Sequence, residues 1–169
     1  MQAVERLVHG IEAVVRLFGL IAAWICVVLV ALVAGDVVMR YLFSIGAVWL
    51  QELQWHLISP IALFGMSYLL FVGEQVRVDV FYERFPVALQ RTIEVIGGLL
   101  LLVMGLYIAW LTLPWVEQSY LRNETSPNPG GLPFRWLLKS LIPLGFLLLA
   151  LQGLAHALRQ GLALPSRGE

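Results

Sequence analysis

The stretch Gly73-Glu74-Gln75-Val76-Arg77-Val78-Asp79-Val80-Phe81-Tyr82-Glu83-Arg84-Phe85-Pro86 is the longest interior piece of the chain that cannot lie deep in a bilayer. Its five charged side chains interrupt a sequence that is otherwise strongly apolar. Immediately before it, Leu53–Gly73 carries no Asp, Glu, Lys or Arg; after it, Val95–Val116 carries none. Two further charge-free intervals lie outside these, Leu17–Gly35 and Ser140–Leu158. A membrane-spanning helix needs roughly 20 apolar residues, at about 1.5 Å each, to cross a core of about 30 Å. All four intervals are long enough. A charge in the middle of one would cost about 2.5–3.5 kcal/mol on insertion scales, and none is present.

Composition agrees with this reading. The chain is 60% hydrophobic and 13% charged, with a mean hydropathy of +0.84. A soluble domain is nearer 45–50% apolar and about 25% charged. The expected fold is therefore an all-α integral membrane protein in one domain over residues 1–169. Its four transmembrane helices form two hairpins, joined by a charged cytoplasmic connector. The spans are expected at about 17–38, 53–73, 95–116 and 136–158, with the connector at 74–94 and a loop at 117–135. A cleaved signal peptide competes for the N-terminus. However, the lead-in carries Glu5 and Glu12, and its apolar run exceeds the 7–15 residues of a signal core, so an uncleaved first helix fits better.

Lys and Arg in the flanks set the orientation. With the N-terminus inside, Arg6, Arg16, Arg77, Arg84, Arg91, Arg159 and Arg167 lie on the cytoplasmic side, against Arg40, Arg122, Arg135 and Lys139 opposite. Seven against four places both termini in the cytoplasm.

Several segments beside the spans are amphipathic. Val4, Leu7, Val8, Ile11, Val14 and Val15 recur at helical spacing, which predicts either a surface helix running into the first span or a first helix that protrudes into water. Residues 44–56 and 80–93 are expected to lie partly along the membrane surface. Trp49, Trp55, Phe85, Trp115 and Trp136 are candidate interfacial anchors, since amphipathic rings sit at headgroup depth. Pro60 and Pro143 predict helix kinks, because each removes a backbone hydrogen bond. Pro86 suits the first turn of a helix. Asp36 and Arg40 are spaced i,i+4, acid first, the favourable order for an ion pair. Ser126-Pro-Asn-Pro-Gly-Gly-Leu-Pro133 is turn chemistry and predicts a rigid loop.

Most site chemistries fail on this sequence. Cys26 is the only cysteine, so no internal disulfide can form. A membrane haem needs paired histidines on facing helices, and only His9, His56 and His156 exist. His56, alone near the start of the second span, reads as a hydrogen-bonded interfacial residue. A small proton-coupled exporter needs an ionisable residue deep in a span, and none is there. Lys139 is the only lysine and follows no phosphate-binding glycine loop, which excludes an ATPase. No serine has a His–Asp pattern near it. No enzyme activity, metal, cofactor or nucleic-acid partner is expected. A four-helix protein with no polar path suits a scaffold for another membrane protein better than a pore.

The motifs can then be set against a family. Arg40-Tyr-x-Phe43 is followed by Trp49 with Glu52-Leu53, then Gly65, Tyr68 and Gly73-x-x-Val-Arg-Val-Asp79. Glu117, Ser119, Leu132-Pro133, Trp136, Lys139, Ile142-Pro-Leu-Gly-Phe146 and Leu151-Gln152 complete the series. In this order, on four helices, the chain resembles the small membrane (Q) subunit of tripartite ATP-independent periplasmic (TRAP) transporters over nearly its whole length. Gln51 departs from the pattern, where relatives often have a second acid beside Glu52. The resemblance implies a bacterial or archaeal inner-membrane location and two protein partners. These are a large elevator-type M subunit, which carries the substrate and sodium sites, and a periplasmic substrate-binding protein. It further implies sodium-driven uptake of organic acids or related solutes. This chain would be a scaffold extension embedded in membrane lipid. On that footing Arg40, Glu52, Arg77, Asp79 and Lys139 are candidates for fixing register between subunits. Residues of loop 117–135 are candidates for touching the binding protein. The alternative is a stand-alone tetraspan membrane protein or assembly factor.

Overall fold

The computed structural model describes residues 2–44, 46–73 and 85–162. They form four helices and no strand: α1 (Gln2–Phe43), α2 (Val48–Val72), α3 (Val87–Leu121) and α4 (Arg135–Gly161). All four are long and apolar enough to cross a membrane. In hydrocarbon a helix is the arrangement in which one segment satisfies its own backbone polar groups. Arg77 and Asp79, with the rest of connector residues 74–84, lie outside the described residues.

The helix ends follow from local sequence. α2 closes on Gly73, whose left-handed backbone (φ 81°) turns its N–H onto the Leu69 carbonyl at 3.0 Å. Pro86 stands just ahead of α3 rather than inside its first turn. Its carbonyl accepts from the N–H groups of Leu89 and Gln90 at 2.9 and 3.1 Å. α4 starts after Phe134, a bulky residue held at φ 62°. α2, α3 and α4 continue through Pro60, Pro114 and Pro143.

α1 is a single helix of 42 residues, roughly 63 Å long at 1.5 Å per residue. The amphipathic lead-in therefore runs on into the first span as one helix, with its apolar face covered by protein. Val8, Ile11 and Val15 are buried against Ala155 of α4, with Val4, Phe71, Leu151 and Leu158 around them. A second core layer joins Ala22, Phe64 and Leu148 with Phe18, Leu63 and Leu141, and Phe18 meets Phe64 edge-on at 4.9 Å.

α4 is the central element. It packs along α3 and also touches α1 and α2, while α1 and α2 pack on each other. The two hairpins are thus not independent, because α4 joins them. α3 packs along α4 alone over any length among the described residues. That seam is built from small residues. A Cβ on Gly98 would stand 2.7 Å from the Gly153 carbonyl oxygen, and one on Gly105 would stand 2.7 Å from that of Phe146. Close backbone approach of this kind is how helices associate in lipid, where burial of apolar surface gives no net drive.

Candidate functional site

Polar side chains gather in two layers at opposite ends of the helices. At the termini end, Arg159 of α4 bonds Glu12 of α1 at 2.6 Å, and His156 bonds Glu94 of α3 at 2.7 Å. These pairs tie both outer helices to α4. At the loop end, Asp36 of α1 bonds Arg40 at 2.8 Å and accepts from Gln54 of α2 at 3.4 Å. Glu12 and Asp36 are 24 positions apart in α1. At helical rise that is about 36 Å, near the thickness of a bilayer core of about 30 Å.

The loop-end layer centres on Glu52, in the second turn of α2 and just ahead of the charge-free interval. Only 2% of it is exposed. Its carboxylate accepts from the Ser126 hydroxyl, from Asn128 Nδ2 at 2.9 Å and from the Leu132 backbone N–H at 2.7 Å. Three donors from the loop between α3 and α4 thus converge on one acid of α2. Gly131 permits this approach, since a Cβ there would meet Ser126 and the Glu52 carboxylate at 2.5–2.7 Å. The Ser126 hydrogen bond, then those of Leu132 and Asn128, stabilise the ionised form. Together with the nearby Arg135 charge they outweigh burial and draw the Glu52 pKa from 4.5 down to about 2. His56 Nδ1 bonds the Glu52 carbonyl at 2.7 Å, as its position near the helix start predicts.

A second latch lies beside it. Glu124 accepts from Lys139 Nζ and from Ser119 Oγ, the latter at 2.7 Å. Lys139 also stands over the Trp115 ring at 4.5 Å. Lys139, then Ser119, hold the Glu124 carboxyl below its ordinary pKa. The Glu124 backbone accepts from Arg135 N at 3.1 Å, which closes the base of the loop.

The register candidates fall out unevenly. Glu52 and Lys139 are engaged inside the chain. Arg40 is about half exposed, and the Gln51 amide, oriented with its oxygen toward Arg40, accepts from Nη1 at 3.1 Å. Gln51, though neutral, therefore reaches the arginine. Among the anchors, Trp49, Trp55, Phe85 and Trp115 are exposed, whereas Trp136 packs edge-on to Tyr120 at 5.3 Å. The sequence reading missed Glu124, Ser126, Asn128 and Arg135. The turn-rich run 126–133 was a signal for a fixed loop, but nothing in it named Glu52 as the partner 74 to 80 positions away.

No group of three or more His, Cys, Asp or Glu able to hold a metal occurs among the described residues. The arrangement fixes a loop and holds helices in register. The family model described as "Tripartite ATP-independent periplasmic transporters, DctQ component" matches residues 29–162. No curated protein shows a match to the chain.

Proposed function

The chain belongs to the DctQ component family of tripartite ATP-independent periplasmic transporters, and from that premise we propose that it is the static scaffold of a sodium-driven uptake system for organic acids or related solutes. The family is one of transporter components, not of enzymes. In this reading the chain sits in the inner membrane with both termini in the cytoplasm. It binds the large M subunit, which moves substrate, while a periplasmic binding protein delivers that substrate.

One observation carries the scaffold role. In the most apolar windows of α1 and α3 only 11% of residues are buried within the chain, against 39% in α4. α4 is the internal strut, and α1 and α3 keep apolar surface for a partner and for lipid. No charged residue interrupts the four apolar intervals, so the chain offers no solute path of its own. Its length and the tying of both ends suit a body that resists bending beside a moving neighbour. Arg40, exposed at the loop end, is the register contact best placed to reach the M subunit; Arg77 and Asp79 of the connector would serve the opposite face. Local bends at Pro60 and Pro143 would set the tilt of α2 and α4. The latched loop 122–134 would meet the binding protein.

Co-expression with the large permease tests this reading. A stable one-to-one complex in mild detergent, with sodium-dependent uptake after reconstitution with the binding protein, is the expected result. A monodisperse particle that ignores the permease refutes it.

A further inference from the structure

A cleft of about 730 Å³ opens between α2 and the α3–α4 pair at the loop end. Ile58 and Ala62 of α2 face Leu138 and Ile142 of α4 across it, and Trp115 and Arg135 stand at its lining. Arg135 opens α4 and Ile142 lies seven positions further in. At helical rise the lining therefore runs about 10 Å along α4, from headgroup depth into the hydrocarbon region.

The charges at the rim are unequally satisfied. Glu124 and Lys139 bond each other. Arg135 lies close enough to Glu52 and Glu124 for its charge to favour their ionised forms, but its Nε is buried with no hydrogen-bond partner among the described residues. An orphaned donor on a guanidinium is costly, and the group it suits best is a planar or tetrahedral oxyanion held by two N–H groups. The apolar wall below argues against a small hydrophilic anion, which would lose hydration there without compensation.

We propose that this cleft seats one phospholipid of the loop-side leaflet, with its phosphate on the Arg135 guanidinium and an acyl chain along Ile58, Ala62, Leu138 and Ile142. The lipid completes the hydrogen bonding of Arg135 and fills the gap that α2 and α3 leave between them. This binding belongs to the chain itself and does not depend on which solute the transporter carries.

Native mass spectrometry of the full-length chain, alone and with its large subunit, in micelles doped with dioleoylphosphatidylglycerol or with dioleoylglycerol, tests the proposal. The phospholipid is expected to stay bound and the diacylglycerol, with the same chains but no phosphate, to be lost. Arg135→Gln should weaken retention about tenfold, the size of one charged hydrogen bond, and Arg135→Lys should restore much of it. Ala62→Phe, which blocks the apolar wall and leaves Arg135 in place, should weaken retention as well. Equal retention of both lipids, or unchanged retention in Arg135→Gln and Ala62→Phe, overturns the proposal. So does a complex whose cleft cross-links to the large subunit and carries no lipid. If Arg135→Gln fails to fold, Ala62→Phe and the diacylglycerol comparison still decide.

Discussion

Alanine at Gly98 would put a methyl group 2.7 Å from the Gly153 carbonyl oxygen and 2.9 Å from Ala157 Cβ and N. Ordinary contact begins near 3.5 Å, so α3 would have to move away from α4 by about 0.8 Å. The obstruction is backbone on a facing helix, not the tip of a flexible side chain. Gly153 is the mirror case, with its own Cβ 2.8 Å from the Gly98 carbonyl. Overpacking of this kind costs about 1–3 kcal/mol. The neighbouring Gly97 is an internal control, because a Cβ there meets nothing within 4 Å. Removing its backbone freedom should stabilise the helix by about 0.5–1 kcal/mol. Gly98 gains the same intrinsic amount, so the two variants, adjacent in sequence, should differ by about 1–3 kcal/mol, with Gly98→Ala the less stable. Steric trapping or reversible unfolding in bicelles measures both on one scale. Among the described residues α3 packs along α4 alone over any length, so Gly98→Ala should also speed cleavage at a protease site placed in the connector. Equal stabilities within about 0.5 kcal/mol would mean that α3 and α4 do not meet through these glycines, and the central position of α4 would fall with them.

Glu52→Gln should leave α2 intact while releasing the loop, seen as faster hydrogen exchange at the Leu132 amide, which now donates to the carboxylate; unchanged protection there refutes the latch. The depressed Glu52 pKa gives a signed pH dependence. The latch contributes fully above the ordinary value of 4.5 and is lost as pH falls through about 2. Glu124, shifted in the same direction, adds to that trend. Loop protection corrected for intrinsic exchange should therefore be flat from neutral pH to about 5 and decline below it, and a Glu52→Gln variant should lose most of that decline. At the termini end, Arg159→Gln strands a Glu12 side chain that is only 7% exposed. Roughly 3 kcal/mol of destabilisation is expected, less than additive with Glu12→Gln in a double-mutant cycle. Additivity would show that the pair is not coupled. Phe134→Gly should stabilise α4, because a left-handed φ of 62° strains an aromatic residue that packs largely exposed.

Four spans, their order and the polar connector follow from where Asp, Glu, Lys and Arg fail to occur. The cost of a charge in hydrocarbon is so large that its absence over about 20 residues is itself a structural statement. The Asp36–Arg40 pair and the His56 hydrogen bond were equally legible, because i,i+4 geometry is local to a helix. The family pattern could also be read along the chain. Only the tertiary structure decided that α4 is central, that Val8, Ile11 and Val15 pack on it, and that Glu52 holds a loop some 80 positions away. Periodicity says that a face is apolar without saying whether protein or lipid covers it, since both are equally apolar. A carboxylate shows nothing in sequence of the donors that will reach it, because those contacts exist only once α2 and α4 stand side by side. The orphaned Nε of Arg135 came from the same source: a charge is visible in the sequence, but which of its N–H groups lacks a hydrogen-bond partner among the described residues appears only in the folded chain.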